Sequence, residues 1–237
     1  METLSVIGDS FGIFQREDFF KFGTDAVILA RFARIRKKDV LFDFCSGTGA
    51  VGFFCHLLYE PCKIGFVEVE ETMLTLSKKS ADYNGISEKC EFFCSDLADF
   101  NEDKQYSCVD AITVNPPYFI KDSGKINQNP KLCTARHTGS FSNEVLMKKA
   151  YDLLKDGGKL FLIQRAQNLM EILWEMRKHH LEPKRLRMVH SYRHKEASLF
   201  LVEAVKNGGV WLDCLPPLIL YEEDGRMTEE FLKMQEF

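Results

Sequence analysis

The sequence predicts an α/β protein built on a mostly parallel sheet, and three observations carry that expectation. Short apolar runs alternate with longer amphipathic stretches, the pattern of strands joined by crossover helices. A glycine-rich turn, Gly47-Thr48-Gly49-Ala50-Val51-Gly52, follows the apolar run Val40–Phe44. A length of 237 residues fits one large α/β domain. The chain reads as a single domain, with residues 1–38 an N-terminal helical cap segment and residues 39–237 the core.

The elements follow in order. Residues 25–35 read as a helix with an apolar face. Val40–Phe44 is a short buried strand, and the glycine turn after it leads into a helix over Ala50–Tyr59. Ile64–Val67 is the second strand of the core, and Glu71–Asn84 is a helix stopped by Asn84-Gly85. Glu91–Cys94 and Val109–Val114 are the next strands, the latter cut off by Pro116-Pro117. Residues 119–142 have no clear period, and a loop of that length inside a domain points to function. Asn143–Leu154 is a helix, Asp156-Gly157-Gly158 a turn, Lys159–Ile163 a strand and Ala166–His180 a helix. Arg185–His190 and Ser198–Lys206 form an antiparallel pair. The tail from Trp211 carries turns at Pro216-Pro217 and Asp224-Gly225 and ends in a short helix.

Composition narrows the class. Hydrophobic residues at 45% and charged residues at 28% are ordinary for a globular protein, which excludes wholesale disorder and collagen-like structure. No apolar run is long enough to span a membrane. Met1–Ser5 has no basic region leading into an apolar core, which speaks against a secretory signal. The eight cysteines are scattered and form no Cys-x-x-Cys pair, so a zinc ribbon is not expected and a reducing cytoplasm is. His190 and His194 have metal-like spacing but no third ligand, and no metal is expected. The net charge of −4 argues against a simple electrostatic nucleic-acid binder. Basic residues still cluster at Arg31–Lys38 and at Lys184, Arg185, Arg187, Arg193 and Lys195.

Three places carry chemistry. The turn after Val40–Phe44 matches G-x-G-x-x-G, where a helix N-terminus favours a negative ligand, so a dinucleotide is one reading. Asp43 stands just ahead of the turn, however. Its charge would repel a pyrophosphate and suits a cationic ligand bearing an ammonium or a sulfonium. Glu68 ends the next strand, where a carboxylate can accept from a ribose diol. Asp96 can bond an adenine amino group, with Leu97 as an apolar wall for its ring.

The third place is Asn115-Pro116-Pro117-Tyr118. Two prolines remove N–H donors and leave an acceptor-rich site, the Asn115 side-chain oxygen with backbone carbonyls, beside a flat ring. Such a site grips a planar group bearing an NH2: both hydrogens are accepted while Tyr118 stacks on the plane.

Together Asp43-x-x-x-Gly47-x-Gly49, Glu68, Asp96 and Asn115–Tyr118 resemble a class I S-adenosylmethionine-dependent methyltransferase that modifies amino groups. With Gln15, Phe22–Val27, Phe119, Ala135-Arg136, Pro183–Arg187 and the Pro216–Glu230 tail, the chain resembles the bacterial tRNA1(Val) (adenine(37)-N6)-methyltransferase family over nearly its whole length. The resemblance implies a Rossmann-like sheet of seven strands, one antiparallel near an edge, and S-adenosylmethionine as cofactor. Ser46, Gly47, Gly49 and Asp43 would form the cofactor floor, with Glu68 on the ribose, Asp96 and Leu97 on the adenine, and Thr24 and Asp25 nearby. Asn115 and the Pro116 carbonyl would orient the amine of a flipped-out tRNA adenine, and Tyr118 would stack on it. Arg136, Lys184, Arg185 and Arg193 are the candidates for holding the tRNA. Alternatives at this level are a protein glutamine N5-methyltransferase, another amino-group methyltransferase acting on rRNA or DNA, and an NAD-dependent oxidoreductase. The last leaves Asn115–Tyr118 without a role.

Overall fold

A computed structural model describes residues 1–19, 22–100, 107–117 and 142–237. The chain opens with a hairpin, β1 (Glu2–Ile7) and β2 (Phe11–Arg16), followed by α1 (Thr24–Phe32). The core alternates β3 (Val40–Phe44), α2 (Ala50–Tyr59), β4 (Lys63–Glu68), α3 (Glu71–Tyr83), β5 (Cys90–Cys94) and β6 (Val109–Val114). It continues with α4 (Asn143–Leu153), β7 (Leu154–Arg165), α5 (Leu169–Lys178), β8 (Leu181–Tyr192) and β9 (Ala197–Lys206). The short β10 (Asp213–Cys214), β11 (Leu218–Tyr221) and α6 (Glu229–Met234) close the chain.

The main sheet runs β10-β8-β9-β7-β6-β3-β4-β5, with β11 also on β8. It holds nine strands among the described residues where seven were expected. The excess is β10 and β11, which add parallel to successive parts of the long β8. They are two and four residues long, too short to leave a period in the sequence. Strand β9 is antiparallel to both of its neighbours, while β3 to β7 run parallel. Strand β8 therefore points the same way as β3.

Two aromatic-rich cores cover the two sheet faces. On one, Phe53 meets Phe66 at 4.9 Å between ring centroids, and Phe66 stacks on Phe92 at 5.2 Å. On the other, Phe42 stacks on Phe93 at 5.7 Å, and Phe93 meets Phe100 edge-on at 5.2 Å. Each such pair contributes about 1 kcal/mol beyond its area burial. Helices α1 and α2 join the first core, α4 and α5 the second.

The N-terminal segment departs from an all-helical cap, because its first half is the β1–β2 hairpin. The sequence hides β1: Leu4 and Val6 are exposed, while Thr3 and Ser5 are half-buried, so the apolar pattern is inverted. The hairpin is fastened to α3 by polar groups. Asn84 Oδ1 accepts from the Gly12 N–H at 2.9 Å and its Nδ2 donates to the Gly12 carbonyl at 2.7 Å. Ser80 Oγ accepts from the Phe14 N–H at 2.9 Å. Gln15, buried at 3% exposure, then links hairpin to helix, donating to Ser5 Oγ at 2.6 Å and accepting from the Phe22 N–H at 3.0 Å.

The expected turn at Asp156–Gly158 lies inside β7 as an irregularity. Leu154 pairs with Val109 but the next pairing is Lys159 with Ala111, and Gly157 sits at φ 73°. The expected helix from Ala166 begins as a 3-10 turn, Ala166–Asn168, before α5.

Candidate active site

Strand order reverses at β3: the chain goes from β3 to β4 on one side and reaches β6 on the other. A crevice opens at the carboxyl ends of strands flanking such a reversal, and ligands of open α/β sheets bind there. The turn after β3, Glu68 at the end of β4 and Asn115 after β6 all meet this edge.

The turn is tightly built. Gly47 has φ 55°, and Gly49, which caps α2, has φ 80°. A Cβ at Gly49 would stand 2.4 Å from Ser77 Oγ and 2.8 Å from the Phe53 ring, so only glycine fits. A Cβ at Gly47 would meet only the Met73 methyl, at 3.6 Å, so this part of the turn opens onto free space. Cys45 also lies in the left-handed region, at φ 53°, a strain of about 1 kcal/mol for a residue with a side chain.

Asp43 is 1% exposed, and both its oxygens are engaged within the protein. Oδ2 accepts from the Gly52 N–H at 3.0 Å, and Oδ1 accepts from the Thr113 hydroxyl at 2.8 Å. This corrects the picture of a carboxylate facing the ligand: Asp43 lies beneath the turn and staples β3, α2 and β6 together. Burial pushes its carboxyl up to about 7, against the two hydrogen bonds that pull it down.

Glu68 is the carboxylate at the lip. Its Oε2 accepts from the Gly47 N–H at 2.8 Å and Oε1 from the Glu70 N–H at 3.0 Å. Burial raises it above the usual carboxylate range, with backbone donors opposing. A carboxylate has about four acceptor sites, so capacity remains for hydroxyl donors. Ser46 Oγ is buried without a hydrogen-bond partner. A turn open at Gly47, a lone buried hydroxyl and a half-buried carboxylate at the lip fit a polar ligand such as S-adenosylmethionine.

The other expected residues fall as follows. Asp96 follows β5 and accepts from the Ala98 N–H at 2.9 Å. Leu97 is 4% exposed and packs in the core with Phe42 and Phe100, so most of its surface is spent there rather than on a ligand. Thr24 is exposed and Asp25 half-buried in the first turn of α1, which packs against α2. Asn115 is half-buried, Pro116 buried and Pro117 exposed directly after β6. Tyr118, Phe119 and Arg136 lie outside the described residues.

The second basic cluster does not exist as a patch. Lys184 and Arg185 stand near the start of β8 and Arg193 just past its end, which separates them by roughly 30 Å at strand rise. Arg185 is 12% exposed, pairs with Glu203 at 2.5 Å and covers the Phe32 ring at 4.4 Å. Arg187 pairs with Glu230 at 2.6 Å, and Lys184 donates to the Gly209 carbonyl at 2.7 Å. Arg193 is exposed and lies at the same edge of the sheet as Asn115. Lys184 and Arg185 are thus corrected to structural roles at the far edge. Thr113 is a residue that sequence reasoning missed, because a β-branched residue in a strand gives no signal of chemistry. Among the described residues, no three His, Cys, Asp or Glu side chains are grouped to hold a metal, and no helix is long and apolar enough to cross a membrane.

Comparison with solved structures defines the class. The chain shares its fold with a protein from Agrobacterium tumefaciens described as a predicted O-methyltransferase, with a TM-score of 0.72, 21% identity, and coverage of 89% of this chain and 95% of that one. It also resembles TYW2 of P. horikoshii in complex with MeSAdo, with a TM-score of 0.61, 13% identity, and 87% and 72% coverage. The fold is the class I S-adenosylmethionine-dependent methyltransferase fold.

Residues 7–184 match the methyltransferase small domain family, and the chain belongs to it. Relatives named tRNA1(Val) (adenine(37)-N6)-methyltransferase include one from Vibrio campbellii, 25% identical over 62% of this chain and 60% of its own length. One from Histophilus somni (strain 2336) is 29% identical over 65% and 64%. One from Photobacterium profundum is 25% identical over 76% and 75%. The chain spans about 60% of the length of the first of these relatives.

Proposed function

We propose that this protein is a cytoplasmic S-adenosylmethionine-dependent N-methyltransferase acting on the N6 amine of an adenine in tRNA, with adenine 37 of tRNA1(Val) as the first target to test. The observation that carries the reading is the placement of Asn115-Pro116-Pro117 directly after β6, beside the glycine turn and Glu68. The names of the relatives support the tRNA substrate.

The Gly47–Gly49 turn, Ser46, Glu68 and Asp96 are the residues that would hold the cofactor. When bound, it supplies a methyl group on a positively charged sulfur. The chain's own part is to bind and orient the amine. The Asn115 side-chain oxygen and the Pro116 carbonyl accept its two hydrogens, which fixes the amine and polarises the nitrogen lone pair toward an electrophile. Neither group is a base at neutral pH, so they position and polarise rather than deprotonate, and the proton that the methyl group replaces leaves to solvent after transfer. Tyr118, next in sequence after Pro117, would offer its ring as a stacking surface for the base. Arg193, at the same edge, supplies charge toward the phosphate backbone.

The test is Asn115→Ala on a tRNA substrate. Turnover falls by a factor of 100 or so, about 2.7 kcal/mol, while calorimetric affinity for S-adenosylmethionine stays near wild type. Equal loss of both would reduce Asn115 to a strand terminator and remove the basis of the reading.

A further inference from the structure

Thr113 is fully buried near the end of β6, two residues before Asn115. The parallel register of β3 and β6 sets it opposite Asp43. Its Oγ1 donates to Asp43 Oδ1 at 2.8 Å, while the Gly52 N–H donates to Oδ2 at 3.0 Å. One carboxylate thus ties together the strand that enters the glycine turn, the first turn of α2 and the strand that delivers Asn115.

We infer that Thr113 is a positioning residue of this site: by donating to Asp43 it favours the negative form of that carboxylate beneath the glycine turn, where the charge favours a methyl donor with a cationic sulfur over the product whose sulfur is neutral. The inference rests on the S-adenosylmethionine reading above.

The surroundings of Asp43 make this one donor matter. Burial is the largest influence and pushes the carboxyl up to about 7, Glu68 on β4 pushes in the same direction, and the Thr113 and Gly52 donors pull it down. Two other titratable groups feel the charge of Asp43, Cys45 in the turn and Cys55 on α2. Burial holds both thiols well above their ordinary value, so they are neutral and do not compete. With its carboxyl lifted to about 7, Asp43 titrates across the neutral range, where losing a donor changes its charge most. Valine at position 113 keeps the branched shape and removes the donor. Serine keeps the donor.

The experiment compares wild type, Thr113→Val and Thr113→Ser. Carbon NMR follows the Asp43 carboxyl titration without ligand. Calorimetry measures S-adenosylmethionine and S-adenosylhomocysteine at pH 7 and pH 9. The valine variant moves the carboxyl midpoint to higher pH. It also binds the cationic donor several-fold more weakly at pH 7, because fewer molecules then carry the negative charge beneath the turn. The product loses less, the gap narrows at pH 9, and serine restores both readouts. An unmoved midpoint, or equal loss for both ligands at both pH values, overturns the inference. A wild type that binds neither ligand overturns the cofactor reading instead, and the ligand-free midpoint still decides whether Thr113 governs the charge on Asp43. Should the valine variant fail to fold, Asp43→Asn serves: it cannot carry the charge, so the donor–product difference disappears if the inference is right and persists if it is wrong.

Discussion

Asp43 folds into a place that its own charge opposes. Its carboxyl is raised from 3.8 to about 7 chiefly by burial. The folded protein therefore holds this proton more tightly than the unfolded chain does. Asp43 subtracts stability progressively as pH rises from about 4 to about 7, by a few kcal/mol in all. Denaturant titrations at pH 5 and pH 8 will show wild type losing more stability across that interval than Asp43→Asn. Parallel curves would place the carboxyl in its ordinary range. Glu68 works at the surface of the same turn. Glu68→Ala removes acceptors for the Gly47 and Glu70 N–H groups as well as the proposed acceptor for a ribose, and calorimetry will record cofactor binding weaker by about 1–3 kcal/mol. The residue types at these positions were legible because a carboxylate before and after a glycine turn is a sparse pattern. The direction in which Asp43 points was not legible, since its partner Thr113 lies 70 positions away.

At the scale of elements, the parallel β/α core was written in the sequence by alternating periods, and its elements from Val40 to Val114 lie where those periods place them. The hairpin was not, because β1 turns its apolar side chains outward and owes its place to the Asn84 clamp and Ser80 on α3. Asn84→Ala leaves the Gly12 amide and carbonyl without partners, at a cost of about 1–3 kcal/mol. Hydrogen exchange should show β1 and β2 losing protection while β3, β4 and β6 keep theirs. Uniform loss across the sheet would mean that the hairpin is an integral part of the core rather than a separately fastened flap. Because Gln15 links this hairpin to the start of α1, the same variant tests whether the hairpin sets the position of Thr24 and Asp25.

On the scale of the whole molecule, charge clusters in sequence and charge clusters in space part company. A strand carries its residues apart at ~3.3 Å each, so the basic run along β8 is stretched from one end of the sheet to the other. Glu203, 3% exposed, gathers the largely buried Arg185 at 2.5 Å and the half-buried Lys159 at 2.9 Å into a triad across three strands. Arg185→Ala costs up to about 3–5 kcal/mol, reduced by the lysine that stays on Glu203. Arg193→Ala stays within about 0.5 kcal/mol of wild type, but lowers the salt slope of tRNA binding by about one unit or slightly less. Thermal unfolding and binding isotherms at three salt concentrations separate the two. If Arg185 proves dispensable for folding and necessary for RNA binding, the triad is not what holds the outer strands.

The activity proposed for the Asn115 edge of the sheet is methylation of an adenine amine in tRNA. The most direct measurement is transfer of a labelled methyl group from S-adenosylmethionine to total tRNA, followed by nucleoside mass spectrometry. Label is expected in N6-methyladenosine, mapped to position 37 of tRNA1(Val), and entering about a hundredfold more slowly with Asn115→Ala. Label confined to another nucleoside or to glutamine of a protein, or none in any substrate with cofactor bound, would contradict it.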